Sequence, residues 1–164
     1  MHFQPLTVFA TLLAVASSAP ASLQARKSVN DCGDATFENQ SSDGSPLITD
    51  CQQIATNIAG TFRLRLSHLH FLADKYLGGG TWSIGTGGGG QHQLVQYGTC
   101  AFGVNTEDSA NVGHIGNQDI IDIINESISR FSYNGKVGAK GVVGCQSATG
   151  LVGGTEFKWG LYHD

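Results

Sequence analysis

Four cysteines constrain this chain more than any other feature: Cys32, Cys51, Cys100 and Cys145. They stand far apart, with no Cys-x-x-Cys pair and no histidine at zinc-site spacing. They therefore do not read as metal ligands, and no cofactor is expected. Whether they pair depends on the compartment. Leu6 to Ala16 is an apolar run closed by small residues, and Ala14-Val15-Ala16 suits a signal peptidase, although His2 is a weak basic lead. The run is shorter than the roughly 20 residues of a membrane span, so it reads as a leader and not as an anchor. An even cysteine count in a secreted chain reads as two disulfides, in one of three pairings. Spacing does not choose among them. We favour Cys32–Cys145 with Cys51–Cys100, because the second would tie a helix start to a strand. Each bridge typically contributes about 2–4 kcal/mol by restricting the unfolded chain.

Residues 1–18 are thus read as signal peptide, 19–31 as a polar lead-in or pro-segment that contains the basic pair Arg26-Lys27, and 32–162 as one domain. With 40% hydrophobic residues the chain has the composition of a folded protein. A formal charge of −4 and no basic patch argue against nucleic acid or an anionic membrane as partner. A secreted, extracellular monomer is expected.

Tyr97 to Val104 reads as one buried central strand, with Cys100, Phe102 and Val104 on one face at period two. Before it, Thr36 to Asn39 reads as a short first strand. Ser45 as N-cap and Pro46 in the first helical position predict a helix over 46–59, in which Leu47, Cys51, Ile54, Ala55 and Ile58 share a face. Thr81 to Ile84 reads as a strand, joined by the loop Gly85 to Gly90 into a hairpin with Gln91 to Gln96. That loop lacks the following helix and lysine of a phosphate cradle. Asn117-Gln118-Asp119 opens the strongest helix. Its apolar face is Ile120, Ile121, Ile124, Ile128 and Phe131, and Asp119 suits the positive end of the dipole. Asn134-Gly135 marks a turn. Gly141 to Cys145 and Glu156 to Tyr162 read as the last strands, the second alternating around Phe157, Trp159 and Leu161. The class is α+β: a small antiparallel sheet with two packed helices and two disulfides.

Residues 61–78 do not fit their surroundings. The pattern of Thr61 to Leu77 is ambiguous between helix and strand, and the stretch carries His68 and His70. An extra amphipathic helix and a His-x-His metal pair are two readings. A retained intron is a third, and we favour it. Gly60-Thr61-Phe62 can encode a fungal 5′ splice site, Ala73-Asp74 a branch sequence, and Leu77-Gly78 a 3′ TAG. Excision keeps the frame and fuses Gly60 to Gly78.

No catalytic constellation stands out. Ser109, His114 and Asp119 could be drawn into a triad, but no Gly-x-Ser-x-Gly elbow supports them. Glu107 and Asp119 could serve a glycosidase, but nothing places them across a cleft. His92 and His114 read as surface residues. The expectation is therefore no enzyme and no metal. Asn39-Gln40-Ser41 and Asn125-Glu126-Ser127 are glycosylation sequons at Asn39 and Asn125.

Three segments together resemble a known family. They are Gln93-Leu94-Val95-Gln96-Tyr97-Gly98-Thr99-Cys100-Ala101-Phe102-Gly103-Val104, then Val112 to Ile124 with its Gln118-Asp119-Ile120-Ile121, then Gly135 to Gly141 with Cys145. The family is that of the fungal necrosis-inducing factors, also called the extracellular-protein-two effector domain. The four cysteines and Phe157-Lys158-Trp159-Gly160-Leu161-Tyr162 match it in order, whereas residues 61–77 depart from it. The resemblance implies a small effector in the host apoplast that binds a plant protein or cell-surface component and provokes cell death or defence. A killer-toxin-like action on microbes or membranes is the alternative, and a secreted hydrolase a more distant one. The resemblance brings no catalytic residues.

Overall fold

The computed structural model describes residues 28–59, 80–85, 90–106, 112–148 and 154–164. The segment 61–77, with His68 and His70, lies outside them, as do Glu107 and Ser109. Among the described residues, two helices and eight strands are formed. In chain order the strands are β1 (Cys32–Ala35), β2 (Glu38–Asn39), β3 (Thr81–Ile84), β4 (His92–Tyr97), β5 (Cys100–Thr106), β6 (Gly113–Gly116), β7 (Ala139–Ser147) and β8 (Thr155–His163). The helices are α1 (Ile48–Ile58), between β2 and β3, and α2 (Asn117–Phe131), which follows β6 directly.

All strand pairings are antiparallel, and the path runs β3-β6-β7-β8-β5-β4. β1 and β2 lie in line along the same β7 strand whose end pairs with β6. The expected small sheet is therefore a correction. The sheet is the larger part of the fold, and α+β stands with the sheet dominant. Its spine is β7 and β8, where Phe157, Trp159 and Leu161 are buried on one face while Glu156 and Lys158 stay exposed. Burial of alternate residues on one face is what period-two sequences deliver. Trp159 stacks on Phe102 with ring centroids 6.3 Å apart and meets the Phe37 ring edge-on at 5.2 Å.

Both helices contribute to one core. From α1, Cys51, Ile54, Ala55 and Ile58 are buried; from α2, Ile120, Ile121, Ile123 and Ile124 are. They join Phe102, Val104, Ile115, Val143 and Leu161 in a single cluster. Asp122 and Asn125 face out, so the helical period of the α2 sequence alone decides which side packs.

Four local expectations are corrected. Tyr97 to Val104 is not one strand. The chain turns at Gly98-Thr99, where Gly98 takes φ 55°, and β4 pairs back on β5 from Tyr97 opposite Cys100. A glycine with positive φ at the first central position suits a two-residue hairpin that keeps the strand twist. A Cβ on Gly98 would also lie 2.5 Å from the Asp50 carboxylate. Nor is β5 the centre of the sheet, since it sits one strand from the β4 edge.

Second, β3 makes no hairpin with β4; it pairs with β6, Trp82 opposite Ile115 and Ser83 opposite His114. Third, α1 begins two residues later than Ser45-Pro46 suggests. The Ser45 hydroxyl accepts from the Ser42 N–H at 2.9 Å and donates to Gln40 O, which closes a turn instead of capping a helix. Leu47, assigned to the buried face, is 43% exposed. Fourth, the first strand is two short ones, broken around Thr36-Phe37 where Phe37 leaves the ladder to reach Trp159.

Candidate functional site

Two places gather polar groups from distant parts of the chain. The first is the N-terminus of α2. Asp119 is 7% exposed, and its carboxylate accepts N–H groups from Gly116 at 2.8 Å, Asp31 at 2.8 Å and Cys32 at 3.3 Å. The Gly116 bond is the N-terminal cap of the helix, and the other two tie down the strand that starts at Cys32. Burial pushes this carboxyl above the ordinary aspartate range, against the lowering by its three backbone donors. Gly116 has no room for a side chain, because a Cβ there would lie 2.1 Å from Val29 O.

Asn117, 1% exposed, does the same with its amide. Its Oδ1 accepts the Val29 N–H at 2.9 Å, its Nδ2 donates to Ile58 O at 3.1 Å, and its backbone N–H donates to Gly80 O at 2.9 Å. Ser28 and Gln118 close the set through their side chains at 2.6 Å. Residues 28–31, just ahead of Cys32, are therefore bonded into the fold. This cluster is architectural. The Asp119 carboxylate and the Asn117 amide bond backbone groups of residues 29–32, Ile58 and Gly116, which ties these segments to the start of α2.

The Asn117 bonds also bear on the suspected insertion. Ile58 and Gly80, which flank it, are held by one residue, so their carbonyl oxygens are no more than roughly 11 Å apart. Without residues 61–77, the linkers Ala59, Gly60, Gly78 and Gly79 still reach about 17 Å. Deletion of 61–77 is expected to leave the fold intact, with an unfolding midpoint equal to or above that of the full chain. Loop entropy changes by only about 0.6 kcal/mol per doubling of length. Denaturant unfolding of both forms checks it, and a deletion form without a cooperative transition would show that the segment is structural.

The second place is the surface at the start of α1. The Asp50 carboxylate accepts the Thr99 N–H and hydroxyl, both at 2.8 Å, and fastens the Gly98-Thr99 turn to the helix. Those two donors hold the Asp50 carboxyl below the ordinary range. Thr99 Oγ1 accepts the Leu47 N–H at 2.9 Å, and Leu47 bridges to Lys136 in the Asn134-Gly135 turn. Leu47, Tyr97 and Tyr133 are here 43%, 46% and 45% exposed. Leu47 lines a shallow groove of about 380 Å³ together with Asp43, Ser45, Thr99, Lys136 and His163. Two phenols and an aliphatic side chain held next to hydrogen-bonded turns can bury area against a partner. Sequence reasoning missed this surface because it assigned Leu47 to the core and Tyr97 to a continuous strand.

Of the candidate catalytic residues, Ser109 and Glu107 lie outside the described residues, and His114 and Asp119 are each bonded to other groups. His114 is half-buried on β6 with its Nδ1 3.0 Å from Ser83 Oγ, and Asp119 is committed to backbone donors. Asp31 accepts from the Thr81 hydroxyl at 2.8 Å. His92 is exposed on edge strand β4. Among the described residues, no three His, Cys, Asp or Glu side chains are grouped as metal ligands. All four cysteines are in disulfides: Cys32–Cys145, directly opposite in the β1–β7 register, and Cys51–Cys100, from α1 to the start of β5. Asn39 and Asn125 are both exposed.

Two fungal proteins of Penicillium expansum are similar to this chain. It is 36% identical to a probable chitinase, LysM18, over 136 residues, and 30% identical to a secreted chitinase, LysM12, over 135 residues. The matches cover 82% and 79% of this chain but 8% and 7% of those proteins, so the chain corresponds to a small part of each. A family model described as "pathogen effector; putative necrosis-inducing factor" matches residues 31–145, a span that runs from the Asp119-bonded N-terminal strap through both disulfides and both helices. The chain therefore belongs to the Hce2 pathogen-effector family.

Proposed function

We propose that this chain is a secreted fungal effector of the necrosis-inducing type. It acts outside cells as a monomer, binds a plant host protein or cell-surface component, and provokes cell death or defence. The observation that carries this reading is the family match from Asp31 to Cys145, which takes in all four cysteines. The extracellular setting accords with the relative named as secreted and with cysteines that are all paired. In this reading contact is made by Leu47, Tyr97 and Tyr133, large exposed apolar side chains beside the Gly98-Thr99 and Asn134-Gly135 turns.

Oxidised, purified protein infiltrated into leaves is expected to cause necrosis, and the Tyr97→Ser/Tyr133→Ser variant to lose most of the response while keeping its unfolding midpoint. Folded protein that leaves a panel of plants unmarked would sink the proposal. A second reading is an antagonistic, killer-toxin-like protein acting on other microbes. It is favoured by relatives named as chitinases, in which the matching region is a minor part of a longer chain. Growth inhibition of yeast or filamentous fungi without leaf necrosis would select it.

A further inference from the structure

We propose that Asn39 carries an N-linked glycan and that Asn125, in the other Asn-x-Ser sequon, does not. Both side chains face solvent, so exposure does not separate them. Local backbone does. Asn39 ends the extended β2, and its Oδ1 accepts the Ser41 N–H at 2.8 Å. This side-chain turn brings the asparagine toward the residue that bears the sequon hydroxyl. It uses the amide oxygen alone, so a sugar on Nδ2 leaves it intact.

Asn125 lies inside α2, where residues two apart project about 200° from each other around the axis. The Ser127 hydroxyl is buried there and donates to Ile123 O at 2.7 Å. The helix and its Ser127–Ile123 bond are contacts within a few residues and so can precede the tertiary fold, and in that conformation Asn125 and Ser127 do not approach each other.

The transfer is a substitution. Asn39 Nδ2 bonds to C1 of an oligosaccharide carried on a lipid diphosphate. The bond from C1 to the diphosphate oxygen breaks, the lipid diphosphate leaves with the electron pair, and the amide loses one proton. It takes place on the nascent chain, before the Ser41 hydroxyl is drawn into its bonds with Phe131 O and the Gly138 N–H. The Asn39–Ser41 turn needs only three consecutive residues and so can precede the tertiary fold. A glycan at this point has a physical consequence. β2 pairs with β7 on one side, and no strand among the described residues pairs on its other side. A bulky, solvated group on a free strand edge blocks edge-to-edge addition.

The inference rests on the secretion reading. The full chain expressed in a secreting fungal host is collected from the medium, digested with a peptide N-glycosidase and peptide-mapped. One site of enzymatic deamidation is expected, at Asn39. Asn39→Gln is expected to abolish the mobility shift and Asn125→Gln to keep it; the map of the unmutated protein holds whether or not either variant folds. Protein in the medium that carries no glycan, or a glycan on Asn125, overturns this inference and leaves secretion standing. A chain that stays in the cell without a glycan overturns both.

Discussion

Asp119→Ala is expected to cost the folded domain about 3–5 kcal/mol, read as a large drop in the urea midpoint at neutral pH. The carboxylate serves the N–H groups of Gly116, Asp31 and Cys32, and a buried donor left unpaired costs about 1–3 kcal/mol. The loss should be concentrated in the strap from residue 28 to Cys32, whose amides would lose hydrogen-exchange protection first. A change under about 1 kcal/mol would mean that water reaches these donors and replaces the carboxylate. Titration separates the charge from the acceptor. Burial raises the folded-state pKa of Asp119 above its unfolded value. Its contribution is thus fully present below the unfolded pKa and falls as pH rises through the folded one. Asp119→Asn keeps an acceptor oxygen and removes this titration, so its stability is expected to gain on wild type between acid and neutral pH.

The second large effect belongs to the disulfides. The Cys32–Cys145 bridge closes a loop of 113 residues and Cys51–Cys100 one of 49. The loop-entropy account gives about 5 and about 4 kcal/mol respectively for their removal. Cys32→Ser/Cys145→Ser should therefore be the more damaging pair, and it also releases β1 next to the Asp119 cap. Cys51→Ser/Cys100→Ser should instead loosen α1 from the β4–β5 hairpin, with Asp50 and Thr99 left to hold the turn. Unfolding of both double variants, alongside the reduced wild type, checks the order. Equal midpoints for oxidised and reduced protein would show that the core alone carries the fold.

These effects share a cause that also limits what can be read from residues in order. Asp119 lies 88 residues from Asp31, yet the two are bonded. From the sequence, Asp119 is a helix-start carboxylate and nothing more. Its use as a clamp on the N-terminal strap depends on β6 delivering the chain to α2 beside β1. The Tyr97, Leu47 and Tyr133 surface was hidden for a similar reason. A single positive φ at Gly98 divides what periodicity joins, and Leu47 sits outside a helix whose start is decided by the Ser45 hydroxyl's choice of partner.

By itself the sequence determined the features set by short-range physics. The 3.6-residue recurrence of isoleucine gave α2 and its buried face, and the alternation around Phe157, Trp159 and Leu161 gave β8. Asn134 and Gly135 supplied the positive φ values of the turn read there. The four cysteines and the Cys100-Ala101-Phe102 and Gln118-Asp119-Ile120-Ile121 segments carried the family. Only the tertiary structure decided that β3 pairs with β6, that the described residues form a sheet of eight strands, and that Cys32 stands opposite Cys145. Strand pairing and disulfide partnership are contacts between residues far apart in sequence, so local pattern holds no record of them.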